Sequence, residues 1–144
     1  MAQHLSYIGV LWQGRAMTAR AAQRLIGVVF LILGGWALLA PGSVIALTIR
    51  PAYREASFLS TFAIACFGAQ ACLFALVAFT ARFTRATFAW FGAALLPFFA
   101  FDWYFYSVVP ALTVVGLLDA AGNVAMLGLC WLGWRAADTL PRTV

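Results

Sequence analysis

Residues 24–41 read RLIGVVFLILGGWALLAP. No charged side chain interrupts the run between Arg24 and Pro41, and only Gly and Trp break its aliphatic character. A run of this length and composition is the signature of a helix that crosses a bilayer, whose apolar core needs about 20 residues. Pro41-Gly42 ends it, so the first span is expected over about 22–40. Three more apolar runs follow and predict spans over about 56–80, 86–108 and 111–134. Residues 43–49, SVIALTI, are too few to cross and are expected to form a bent turn at the outer end of the first span or to lie in the interface.

The whole chain agrees with that local reading. Of its 144 residues 65% are hydrophobic and only 9% charged, and mean hydropathy is +0.97. Soluble domains carry about 25% charged residues, which excludes an ordinary soluble domain and a disordered chain alike. The expected fold is all-α: an integral membrane antiparallel four-helix bundle over residues 21–135, with a short interfacial helix in the N-terminal segment 1–20 and a tail over 136–144. In the N-terminal segment Leu5, Ile8 and Trp12 recur at helical spacing among His4, Arg15 and Arg20, too polar to span. The segment lacks the small-residue cleavage pattern of a signal peptide, so no processing is expected.

All nine basic residues are Arg, and they flank the apolar runs instead of clustering. The net charge of +5 therefore reads as membrane orientation and not as a nucleic-acid surface. Arg15, Arg20, Arg24, Arg82, Arg85, Arg135 and Arg142 fall on one side of the spans, Arg50 and Arg54 on the other. Positive charge stays inside, which places both termini in the cytoplasm. Trp12, Trp90, Trp131 and Trp134 then mark the inner boundary, Trp36 and Trp103 the outer.

Small residues predict the packed faces. The second span carries Thr61, Ala65, Gly68, Cys72 and Ala75, the fourth Gly116, Ala120 and Asn123, and the first Gly27 and Gly34. Backbones approach closely at such positions where lipid supplies no hydrophobic drive between helices. Pro97 lacks an N–H and is expected to kink the third span or to be simply tolerated there. Cys66, Cys72 and Cys130 lie in apolar runs without metal-ligand spacing and read as small hydrophobes. No metal and no cofactor is expected.

The chemistry-bearing residues sit around the last hairpin. Asp102 and Asp119 lie about eight and nine residues either side of a turn centred on 109–111, which puts both about 12 Å below the membrane surface. An ionisable group at that depth is costly and marks a functional site by default. Two such carboxylates facing one another would share a proton and suit a ligand or proton site. Asn123, Tyr104 and Tyr106 are candidate hydrogen-bonding neighbours, and Arg50 or Arg54 could reach down from the outer loop to neutralise one acid. A purely structural role fits the same residues: Asp119 bonding Asn123 four positions on, Asp102 pairing with Arg50 or Arg54. Gln70 and Asn123 read first as hydrogen-bonders between helices. No nucleophile elbow, catalytic triad or phosphate loop is present.

RLIGVVFLILGGWALLAP also resembles the opening helix of DoxX-like proteins, and the layout of a short basic N-terminus and four spans is similar. The resemblance implies a small four-helix protein of the bacterial inner membrane, in a group with members linked to quinone-coupled oxidation or acting as accessory subunits. It assigns no catalytic residue to this chain. Three functions follow. The first is a non-enzymatic accessory or scaffold subunit, suggested by 16% aromatic residues and the lack of catalytic motifs. The second is a binding protein or enzyme for a small hydrophobic molecule (quinone, isoprenoid or lipid) at Asp102 and Asp119. The third is an oligomeric transporter or channel, disfavoured by the lack of an inverted repeat. The expected partners are the lipid bilayer, another membrane protein or a second copy, and a hydrophobic small molecule, with no nucleic acid.

Overall fold

Three of the long helices begin at a hydroxyl that accepts from the first turn. Thr18 caps α1 (Ala19–Leu39), Ser57 caps α3 (Phe58–Thr80) and Thr84 caps α4 (Arg85–Trp103). At Ser57 and Thr84 the bond is reciprocated by the hydroxyl three residues on, Ser60 and Thr87, so each cap satisfies two otherwise orphaned backbone donors. The computed structural model describes residues 17–55 and 57–137. Within them α2 (Pro41–Thr48) follows α1 directly, with Pro41 at its first turn, and α5 (Leu118–Ala136) closes the order. There is a 3-10 turn at Pro51–Tyr53 and a π-helical turn at Tyr104–Val108. The described residues form no strand, only an isolated antiparallel bridge between Ile49 and Leu112.

Three stretches are long and apolar enough to cross a membrane: Ala19–Leu39, Phe58–Thr80 and Arg85–Val108. The fourth long helix, α5, carries Asp119, Asn123 and Arg135 within its 19 residues, which dilutes its hydropathy. The interfacial helix expected over 1–20, with His4 and Arg15, lies almost wholly outside the described residues, as do Asp138 and Arg142.

α1 is the hub, packing on α3 along one face and on α5 along another, while α4 packs on α5. The α1–α3 crossing depends on two glycines. A Cβ on Gly34 would lie 2.7 Å from Ala71 Cβ, and one on Gly68 would lie 2.3 Å from the Leu38 nitrogen. The buried stripe of α3 is Gly68, Ala71, Ala75 and Ala78. Gly68 and Ala75 were expected there. Ala71 replaces Cys72, and Thr61 and Ala65 are only half-buried. Above the crossing the aromatics fill space: Phe74 stacks on Phe91 at 4.9 Å between centroids, and Phe30 tilts against Phe74 at 4.7 Å.

One end of the bundle is held by polar side chains of α1. Gln23, 1% exposed, donates to Ala78 O and Ala81 O and accepts from Phe83 N–H at 2.9 Å. Arg20 donates to the carbonyls of Phe79 and Ala81. The last turn of α3 leaves carbonyls without helical partners, and these two side chains satisfy them. At the same end Arg85 lies over the Trp134 ring at 3.8 Å and Arg135 over Trp131 at 4.8 Å.

The last helix begins later than the apolar run suggests. Helix was expected from about residue 111, and α5 starts at Leu118. Residues 111–113 are instead tied to the end of α2: Arg50 N–H donates to Ala111 O, Arg50 Nε to Leu112 O, and Thr113 N–H to Thr48 O, each at 2.8 Å. Thr113 Oγ1 adds a bond to Leu47 O at 2.6 Å and caps Gly116 N–H at 3.1 Å. Backbone groups satisfied by these partners have no need of a helix. Residues 43–49, expected as a bent turn or interfacial piece, lie within or just beyond the short helix α2. α4 continues as helix through Pro97, and the irregular backbone falls later, in the π-helical turn.

Candidate intramembrane site

Asp102 occupies the last turn of α4 and Asp119 the first turn of α5. The second position suits an anion, because the unpaired N–H groups of a helix start carry positive partial charge. Asn123 lies one turn further along α5 and bridges the two acids. Its Nδ2 is 3.1 Å from Asp119 Oδ2 and 3.5 Å from Asp102 Oδ2, the latter a long contact. Asp102 and Asn123 are each 3% exposed, whereas Asp119 is open to the space between the helices. Asp102 Oδ1 is buried and has no hydrogen-bond partner. An unsatisfied buried acceptor costs about 1–3 kcal/mol, and more when charged.

Two adjoining cavities lie beside the acids. One, of about 350 Å³, lies under α2 and is lined by Asp102 and Asp119 together with Trp36 and Thr48. The other, of about 310 Å³, runs deeper between α1, α3, α4 and α5 and is lined by Asp119, Asn123 and Gln70. They share Leu33, Phe67, Phe98 and Asp119, so Asp119 stands where they meet. Each falls in the size range of small-molecule sites, which are apolar clefts with a few polar groups. A larger hollow of about 950 Å³ on the outer side of α4 and α5 is lined mainly by apolar side chains and is open.

The expected site divides in two. Asp102, Asp119 and Asn123 come together. The four other candidates do not join them. Arg50 is spent on Leu112 O and lies over the Tyr106 ring at 5.7 Å. Arg54 donates to Ile49 O at 2.8 Å. Among the described residues neither arginine pairs with a carboxylate, so the expected neutralisation of an acid by the outer loop is corrected. The reason is geometric: the strap offers Arg50 the Leu112 carbonyl, and the turn after α2 offers Arg54 the Ile49 carbonyl. Tyr104 and Tyr106 lie in the π-helical turn beyond Asp102, with Tyr104 edge-on to Phe105 at 5.1 Å, and neither hydrogen-bonds an acid.

Gln23 is the polar residue that inspection of the sequence passed over. Its signal was available, because Gln23 falls on the same helical face as Gly27 and Gly34. Its partners are backbone groups of the α3–α4 connection, and it lines neither cavity that holds the acids. Among the described residues no three His, Cys, Asp or Glu side chains gather as a metal site would require.

Searches for a matching protein-family model, a similar curated protein and a similar solved structure each find none.

Proposed function

We propose that the chain is a four-pass membrane protein, with both termini cytoplasmic, that binds a small and largely apolar molecule inside the bundle at Asp102, Asp119 and Asn123. α5 is the fourth span in this reading. Its polar residues Asp119 and Asn123 point to the interior, where their cost is offset by mutual hydrogen bonding. The resemblance of the first span to DoxX-like proteins supports a bacterial inner membrane. The arginine distribution supports the orientation.

The observation that carries the binding reading is Asp102 Oδ1, a buried acceptor without a partner beside a cavity of ligand size. A purely structural pair of acids would be expected to use its lone pairs within the protein. Purification in mild detergent followed by native mass spectrometry tests the reading. The expected result is a small apolar species retained one to one, and lost in Asp102→Asn. A bare chain from native membranes refutes it. A second membrane protein retained in fixed ratio, with no small molecule, replaces it with the accessory or scaffold role.

A further inference from the structure

Donors and acceptors around the two cavities are out of balance. Asp102 and Asp119 bring four carboxylate oxygens, and Asn123 Nδ2 is the one side-chain donor that reaches them. Two other donors in the lining are committed elsewhere. The Trp36 indole N–H bonds Ser43 Oγ at 2.8 Å and the Thr48 hydroxyl bonds Val44 O at 2.7 Å. Gln70 makes no bond to either acid. No Arg, Lys or His lines either cavity. Arg50, which closes the outer end, has its Nε on a backbone carbonyl.

From this we infer that the ligand is a cationic amphiphile, an apolar body with a protonated amine head lodged between Asp102 Oδ1 and Asp119. The inference rests on the binding reading above and names its ligand class. An ammonium group has three donors and no acceptor, the complement of what the lining lacks. It also supplies the opposite charge that the buried Asp102 requires, and its bonds to a carboxylate are charge-assisted. An alcohol head supplies one neutral donor. A ketone or quinone head supplies only acceptors and would face carboxylate oxygens with nothing between. The apolar walls formed by Leu33, Phe67 and Phe98 take the body in each case.

Cyclooctylamine, cyclooctanol and cyclooctanone share one ring and differ only in this head. Their binding to the purified chain in dodecyl maltoside at neutral pH, measured by calorimetric titration, separates the possibilities. The amine is expected to bind about tenfold or more tightly than the alcohol, with the ketone weakest. Asp102→Asn, which keeps the shape of the side chain, is expected to remove the amine's advantage over the alcohol. Alcohol or ketone binding equal to the amine's overturns the inference and leaves the ligand site standing. So does an amine preference that survives Asp102→Asn in folded protein. Absence of saturable binding by all three to protein of native helicity overturns both the inference and the site. If Asp102→Asn does not fold, the three compounds on the unaltered chain decide alone.

Discussion

Gly68→Ala adds one methyl group at the tightest point of the bundle. A Cβ there would sit 2.3 Å from the Leu38 nitrogen, 2.6 Å from Gly34 O and 2.8 Å from the Ala37 carbonyl carbon. Ordinary contact for such a carbon begins at 3.4 Å, so the shortfall against Leu38 is 3.4 − 2.3 = 1.1 Å. All three neighbours are backbone, and no rotamer change relieves them. α1 and α3 must part by about 1 Å, weakening dispersion contacts along the whole shared face. Overpacking of this kind costs about 1–3 kcal/mol, and rigid neighbours place it at the upper end. Alanine returns up to about 1 kcal/mol through its better helix propensity. The net loss is about 2 kcal/mol, roughly a thirtyfold fall in the folded-to-unfolded ratio. Gly35→Ala is the control, because a Cβ at Gly35 meets nothing within 4 Å. Reversible unfolding in dodecyl maltoside with increasing SDS, followed by tryptophan fluorescence, measures both. Gly68→Ala unfolding at the unaltered chain's SDS fraction, or Gly35→Ala losing as much, would refute the claim that backbone contact sets this crossing.

Gln23→Leu leaves the Phe83 N–H and the Ala78 carbonyl without their side-chain partner, while Ala81 O keeps Arg20, and should cost about 2–4 kcal/mol in the same assay. Thr113→Val keeps shape but removes the hydroxyl that bonds Leu47 O and caps Gly116, so stability should fall by about 1 kcal/mol and the Gly116 amide should exchange faster. In detergent, N-ethylmaleimide should modify exposed Cys66 and spare Cys130, which is 3% exposed, until SDS unfolds the chain; peptide mass spectrometry reads the order. A periplasmic-activity reporter fused after Glu55 should be active, and one fused after Val144 inactive, if both termini are cytoplasmic.

The long apolar helices were legible because their signal is composition: lipid-length apolar runs, the first ended by Pro41-Gly42. The start of α5 was not. Its delay from about 111 to Leu118 depends on Thr113 and Arg50 finding carbonyls on α2, contacts between residues more than sixty positions apart. The same remote pairing hid the fate of Arg50, while Arg54 turns back to Ile49 O five positions earlier. Asp119 and Asn123 were legible as a pair because four positions make one helical turn. That Asp102 would join them followed from equal depth in a hairpin, a symmetry that survives even though one arm is partly unwound. Gln23 was missed because a glutamine near a helix start looks like interfacial polarity; its burial depends on where the α3–α4 connection runs.

The central cavities also have a direction of approach. At the α2 end, residues 111–113 are strapped to the end of α2 and to Arg50 by four hydrogen bonds. At the opposite end, Gln23 and the packed Phe83 and Phe88 rings fill the bundle. α3 and α4, by contrast, are not a closely packed pair, and they meet chiefly through the stacked faces of Phe74 and Phe91. On the four-span reading proposed above, the way in is therefore sideways, from the bilayer. A molecule arriving by that route is counted by its mole fraction in lipid, not its concentration in water. Two compounds with the same fit would differ in apparent potency by the ratio of their oil–water partition, and adding empty lipid would weaken both without touching the protein.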